Sequence, residues 1–272
     1  MPTERHPYLQ YFDPTIKHRF LIIGTFPPNK EVRQGRTSFA NYFYGNMGSL
    51  WYILDQTNLF PKNAFKTFDT IRDWEKEYSV GITDVLKSCD RKEGRKGSSD
   101  DTDLVISAKD LNTSLRDYIL QYIKEIELIY FTSSGNGPAT NSAFYWFSQL
   151  MGNSFITKYK SKLVTNLPSP SGRYLTSTAI FSNNENNYGL NRFFLQFLKE
   201  NNFTAAINIA ERTFAEKKEK VQRALAAGEK AGTIKQIRLP GTEKDYPSLY
   251  RIEKYKTAFI PVKEHVTIKP KE

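Results

Sequence analysis

The residues best placed to do chemistry fall in two loops and a few isolated side chains. Gly24-Thr25-Phe26-Pro27-Pro28 follows four apolar residues, Phe20 to Ile23, and reads as a rigid turn at the end of a buried strand. In open α/β sheets ligands bind outside the carboxyl ends of strands, so this turn is the default place for a site. The second loop, Pro168-Ser169-Pro170-Ser171-Gly172 followed by Arg173, offers small side chains, exposed N–H groups and a cation. Such a loop can approach a phosphate closely, or it is an ordinary Pro/Ser turn.

Between them lie Phe43, Tyr44, Asn46 and Asp84. Phe43 and Tyr44 stand in an aromatic run that either stacks on a planar ring or packs in the core. Asn46, in Gly45-Asn46-Met47-Gly48, serves as a turn residue, orients a water or holds a base edge. Asp84 is an acid inside the apolar segment Val80 to Leu86. The three histidines, His6, His18 and His265, are scattered and adjacent to no carboxylate pair, so no metal site is expected. The single cysteine, Cys89, excludes an internal disulfide and a four-cysteine metal or cluster site.

The elements that must hold these residues alternate. Strand patterns cover Phe20 to Ile23, Ile126 to Thr132 and Leu163 to Leu167, the last as the second of two short strands within Phe155 to Asn166, and Val80 to Leu86 is a short apolar segment. Helical spacing marks Leu50 to Leu54 behind a Ser49 cap, Ser114 to Lys124, Asn141 to Met151 and Tyr188 to Asn201. Such alternation predicts a parallel sheet covered on both faces. His6 to His18 is an aromatic lead-in to the first strand. Ser88 to Thr102 reads as a polar surface loop. From about residue 205 the character shifts: Ala205 to Ala231 is charged and alanine-rich, and Gly241 to Val266 is expected to form a hairpin or extended tail.

The chain has 272 residues, 39 Lys and Arg against 29 Asp and Glu, and a formal net charge of +10. That excess suits a polyanion, with nucleic acid before an anionic membrane surface. No apolar run reaches the roughly 20 residues of a membrane span, and Met1 to His6 carries no apolar signal region, so a cytoplasmic, nucleoid-associated protein is expected.

Taken together, the loops have the order found in the uracil-DNA glycosylase superfamily, which the chain resembles over residues 6 to 202. Gly24 to Pro28 is similar to that superfamily's first motif, Phe43 to Trp51 to the segment lining the base pocket, and Leu167 to Gly172 to its DNA-inserted second motif. Gly81-Ile82-Thr83-Asp84-Val85, Ser88 to Arg91 and Gly97 to Asp100 look closest to the hypoxanthine-DNA glycosylase branch. The resemblance implies a three-layer α/β/α fold with a central, mostly parallel four-stranded sheet over residues 1–204; the basic helical or extended stretch over 205–272 is read from composition as an appended element without a counterpart in the compact members of that superfamily. The resemblance also implies a monomeric, cofactor-free hydrolase that flips a deaminated base, of the uracil or hypoxanthine class, out of double- or single-stranded DNA and cuts its N-glycosidic bond.

Carried onto this chain, the resemblance makes Asn46 and Asp84 catalytic, and Gly24, Thr25, Phe26, Pro27, Phe43 and Tyr44 base-binding. Pro168, Ser169, Pro170, Ser171, Gly172 and Arg173 become DNA-binding. Phe26 stands where other branches place Asp or Asn. The hypoxanthine branch uses an asparagine in the following segment, matched here by Asn46, although aligning on Trp51 brings Gly48 to that position. The rival expectation is the same fold binding DNA without catalysis. An unrelated nucleotide- or phosphate-ester enzyme is the third.

Overall fold

The computed structural model describes residues 3–29, 42–44, 50–95, 101–135, 138–170, 181–184, 187–190, 192–204, 207–208, 211–212, 215, 219 and 246–268. Its two compact units are Met1–Pro170 with Lys254–Glu272, and Ser171–Glu253. In chain order the first unit contributes β1 (Glu4–Arg5), β2 (Phe20–Gly24), α1 (Leu50–Gln56), α2 (Phe68–Tyr78) and β3 (Val80–Asp84). It continues with β4 (Ser88–Arg91), β5 (Leu104–Val105), α3 (Thr113–Tyr122), β6 (Leu128–Phe131), α4 (Ala143–Met151), α5 (Asn153–Lys158) and β7 (Leu163–Val164).

Four of these strands form one sheet in the order β3-β2-β6-β7, and every neighbouring pair is parallel. β2 is buried at all five positions because it lies inside the sheet with both faces covered. Its side chains alternate. Leu21 and Ile23, with Ile129 and Phe131 of β6, join a cluster that includes Leu115 and Ile119 of α3 and Phe147 and Leu150 of α4. On the other face Tyr130 stacks on Phe259 at 4.5 Å and Phe20 meets His265 at 5.9 Å. The architecture is therefore the expected helix–sheet–helix sandwich around a parallel four-stranded sheet. Each buried Leu, Ile or Phe contributes roughly 1.5–3 kcal/mol relative to exposure, so the covered sheet is a stiff platform for its loops.

Local chemistry sets the ends of the elements. Thr67 accepts the Thr70 N–H and Thr70 answers with its hydroxyl, which starts α2; Ser79, left-handed at φ 54°, ends it. Asn112 caps α3 by accepting from Leu115 N–H, and its amide donates to the Asp84 carbonyl at 3.0 Å. One residue thus fixes both the helix start and the end of β3.

Three expectations change before the second unit is reached. The stretch read as a surface loop from Ser88 to Thr102 opens with β4, which pairs with β1 and, just beyond that stretch, with β5 in an antiparallel three-stranded sheet. The segment read as two short strands holds α5 before β7, because Phe155 turns into the core beside Phe147 at 6.1 Å. The tail read as a hairpin is a long helix, α7 (Tyr246–Ile268), whose Tyr255, Phe259 and Val262 recur every three to four residues and are fully buried. That apolar face is why Lys254–Glu272 groups with the first unit. Among the described residues no helix is long and apolar enough to cross a membrane.

In the second unit, β8 (Phe181–Asn184) and β9 (Asn187–Leu190) form an antiparallel hairpin ahead of α6 (Arg192–Glu200). The helix expected from Tyr188 therefore starts at Arg192, after a strand. Phe197 of α6 packs on Tyr250 at 5.5 Å and on Phe203 at 6.0 Å.

Candidate functional site

The chain runs from β2 to its neighbour β3, then returns past β2 to β6 on the far side. That reversal makes the carboxyl ends of β2 and β6 the topological switch point, where open α/β sheets leave a crevice. Gly24 ends β2 with Thr25, Phe26 and Pro27 after it, Asp84 ends β3, Thr132 and Ser133 follow β6, and Pro168, Ser169 and Pro170 come a few residues after β7. Parallel pairing puts the carboxyl ends of the four strands on one edge. Two hydrogen bonds close it: Val85 N–H to the Gly24 carbonyl at 2.9 Å and Thr132 N–H to the Ile23 carbonyl at 3.2 Å.

Gly24 is there because no larger residue fits. It pairs in register with Asp84, and a Cβ on it would sit 2.1 Å from the Tyr44 hydroxyl oxygen and 2.3 Å from Asp84 Oδ1. Tyr44 and Asp84 thus share the space the glycine leaves. Tyr44 holds a left-handed backbone (φ 52°) and shares a 2.9 Å hydrogen bond with Thr132 Oγ1. Burial first, and the Asp84 carboxylate second, hold its pKa well above the ordinary tyrosine value. It is a neutral hydrogen-bonding group.

Asp84 has a partner that its sequence neighbourhood does not announce. His6 Nε2 lies 2.7 Å from Asp84 Oδ2, with the two side chains 0% and 6% exposed. The Tyr8 N–H donates to His6 Nδ1 at 3.0 Å, so that nitrogen carries the lone pair and Nε2 carries the proton. The imidazole donates to the carboxylate. Strand β1 delivers His6 by pairing with β4, and the His6 N–H bonds the Lys87 carbonyl. Its ring meets Phe26 at 5.2 Å and Phe43 at 5.4 Å.

A second polar chain starts one residue further on. Thr25 donates from Oγ1 to Asp101 Oδ2 at 2.9 Å. With that proton committed, Ser133 Oγ, 3.1 Å away, is the donor to Thr25, while Ser133 accepts the Ala143 N–H of α4 at 2.8 Å. Asn141, left-handed at φ 45°, holds Asp101 from behind by donating to its carbonyl at 3.0 Å. Two carboxylates therefore flank the Gly24-Thr25 turn, one on β3 and one from the segment before β5.

Phe26 is 8% exposed and faces His6 rather than a crevice. Phe43 is 2% exposed, with Tyr8, Tyr42 and His6 around its ring. Of the two readings left open for Phe43, the described contacts are those of core packing. Pro27 is anchored through its carbonyl by Arg91 Nη2 at 2.9 Å, and Arg91 Nε bonds Glu4 at 3.0 Å. Pro168 is anchored through its carbonyl by the Tyr255 hydroxyl at 3.0 Å. Asn46, Ser171, Gly172 and Arg173 lie outside the described residues. No group of three or more His, Cys, Asp or Glu among the described residues is placed to hold a metal ion.

Sequence reading missed His6, Asp101, Thr132 and Ser133. Thr132 and Ser133 carried a signal, being polar residues directly after a buried strand. His6 carried none, because 78 residues separate it from its partner.

The fold and the edge define a class: a parallel α/β protein with a polar cluster at its switch point, the buried Asp84 and the half-buried Asp101 included. No family model matches the chain, and no curated protein does. Among solved structures it is similar to the solution NMR structure of a candidate uracil DNA glycosylase from Methanosarcina acetivorans. Identity is 18%, the TM-score is 0.38, and the match covers 63% of this chain and 87% of that one.

Proposed function

We propose that this protein is a DNA base-excision glycosylase of the uracil or hypoxanthine class. The observation that carries the reading is the convergence of the Gly24-Thr25 turn, Asp84, Asp101 and Tyr44 at the switch point of a parallel sheet, on the edge that also bears the Pro168-Ser169-Pro170 loop. β2 and β7 are separated by one strand, so their carboxyl ends stand about 10 Å apart. That spacing suits an extruded nucleobase entering between the two loops, at an unstacking cost of a few kcal/mol.

Cleavage of an N-glycosidic bond builds positive charge on the sugar and negative charge on the departing base, as in oxocarbenium-like glycoside hydrolysis. Donors facing the base then help only as charge develops, which lowers the barrier. N–H groups of Thr25 and Phe26 are the proposed donors. Asp84, oriented by His6, faces the sugar or the attacking water, and so supplies the acid that the first motif lacks at Phe26. Asn46 is the proposed partner for that water. The net charge of +10 fits a nucleic-acid substrate.

The test is a base-release screen on duplex and single-stranded oligonucleotides carrying uracil or hypoxanthine. We expect abasic product from wild type, and at least a tenfold lower rate from Asp84→Asn and from Asn46→Ala, within the range for loss of one acid–base or electrostatic group. One observation favours a non-catalytic DNA binder: the Tyr44 hydroxyl and the Asp84 carboxylate fill the space above Gly24. Tight binding with no abasic product on any substrate selects that alternative.

A further inference from the structure

We propose that Tyr255, on the C-terminal helix, is a positioning residue that holds the Pro168-Ser169-Pro170 loop in the conformation that meets DNA. The DNA half of this inference rests on the glycosylase reading; the loop half does not. Tyr255 is fully buried, and its hydroxyl donates to the Pro168 carbonyl at 3.0 Å. Pro168 and Pro170 have no N–H, so this segment has fewer ladder bonds to fix it than an ordinary strand extension. A carbonyl held by a buried donor replaces part of what is missing. Leu167 is also buried, which leaves Ser169 as the partly exposed residue between two covered prolines.

The donor is itself rigid. The Tyr255 ring stacks on Phe259 at 6.0 Å and 20°, and Phe259 stacks on Tyr130 of β6 at 4.5 Å and 19°; the Tyr130 hydroxyl bonds elsewhere, to the Ala258 carbonyl at 2.9 Å, and the ring column does not depend on it. An aromatic column thus runs from the central sheet into the helix and ends in the hydroxyl that grips the loop. Helix α7 therefore serves the site as well as the core.

The variants are Tyr255→Phe, which keeps the ring and removes the hydroxyl, and Tyr130→Phe, which deletes an equivalent hydroxyl from the same column away from the loop. Hydrogen exchange is read at the amides of Thr165, Asn166, Leu167 and Ser169. Affinity and turnover are read on uracil- and hypoxanthine-containing duplexes. One buried carbonyl left without its donor predicts, for Tyr255→Phe, exchange at those amides faster by on the order of tenfold and DNA binding weaker by about five- to tenfold, with turnover at saturation within about twofold. Tyr130→Phe should leave all three unchanged even if it lowers the melting temperature. Unchanged exchange in Tyr255→Phe overturns the proposal. Faster exchange with wild-type affinity overturns its DNA half. A wild-type protein that holds no DNA overturns the glycosylase reading, and the exchange result still decides the loop.

Discussion

Replacing His6 with phenylalanine isolates one interaction at the centre of the site. The ring contacts with Phe26, Phe43 and Tyr8 can be kept, while the proton on Nε2 that Asp84 accepts is removed. Because Nδ1 accepts the Tyr8 N–H, the imidazole bears a single proton, and the pair is a charge-assisted hydrogen bond rather than a full ion pair. Such a bond contributes about 1.5–3 kcal/mol. At 6% side-chain exposure, water cannot replace the lost donor for Asp84. Stranding the Tyr8 N–H adds about 1 kcal/mol. The expected loss is then about 3 kcal/mol, which for a chain of this size lowers the melting temperature by roughly 6–12 °C. Thermal unfolding followed by circular dichroism at neutral pH measures it. A double-mutant cycle with Asp84→Asn separates the pairwise part, with an interaction energy of at least about 1 kcal/mol expected. A His6→Phe protein melting within about 2 °C of wild type would refute the claim that this hydrogen bond is closed to water and holds the edge together.

Gly24→Ala should abolish base release and lower stability, since its Cβ would meet the Tyr44 and Asp84 oxygens at 2.1 and 2.3 Å; wild-type turnover in that variant would mean the cluster is not the site. Thr25→Val keeps the shape but leaves Asp101 and Ser133 without their shared hydroxyl, a loss of about 1–2 kcal/mol measurable by urea unfolding. His18 is buried against Gly81 and Tyr118, and burial first, with the nearby Arg72 charge second, pushes its pKa down to about 4. The unfolded chain therefore takes up a proton near pH 6.5 that the folded chain refuses. Stability falls as pH drops from about 6.5 toward 4, by at most about 1.4 kcal/mol per pH unit, and His18→Gln should flatten that slope; an equal slope in both proteins would show that His18 does not titrate as its burial requires.

How legible the protein was in its sequence depends on the range of the interaction. β2 could be read from four apolar residues ended by glycine, because a strand buried on both faces needs no alternation. The caps of α3 and α4, Asn112 and Ser142, lie within three residues of the N–H groups they accept. Helix α7 was misread because its tyrosines and its internal Pro261 look unhelical until the Tyr255, Phe259 and Val262 face meets Tyr130 and the sheet. The two strands β4 and β5 were missed because two-residue ladders, β1 with β4 and β4 with β5, leave little mark on polarity.

The sequence by itself determined the parallel α/β class and the turns that close its strands, since apolar periodicity and glycine or proline punctuation act over a few residues. Only the tertiary structure decided which side chains share the switch point. His6 reaches Asp84, Asp101 reaches Thr25 and Tyr255 reaches Pro168 across 78, 76 and 87 residues. Pairs at that range are set by strand order and by the space a missing Cβ leaves at Gly24, and no local pattern encodes either.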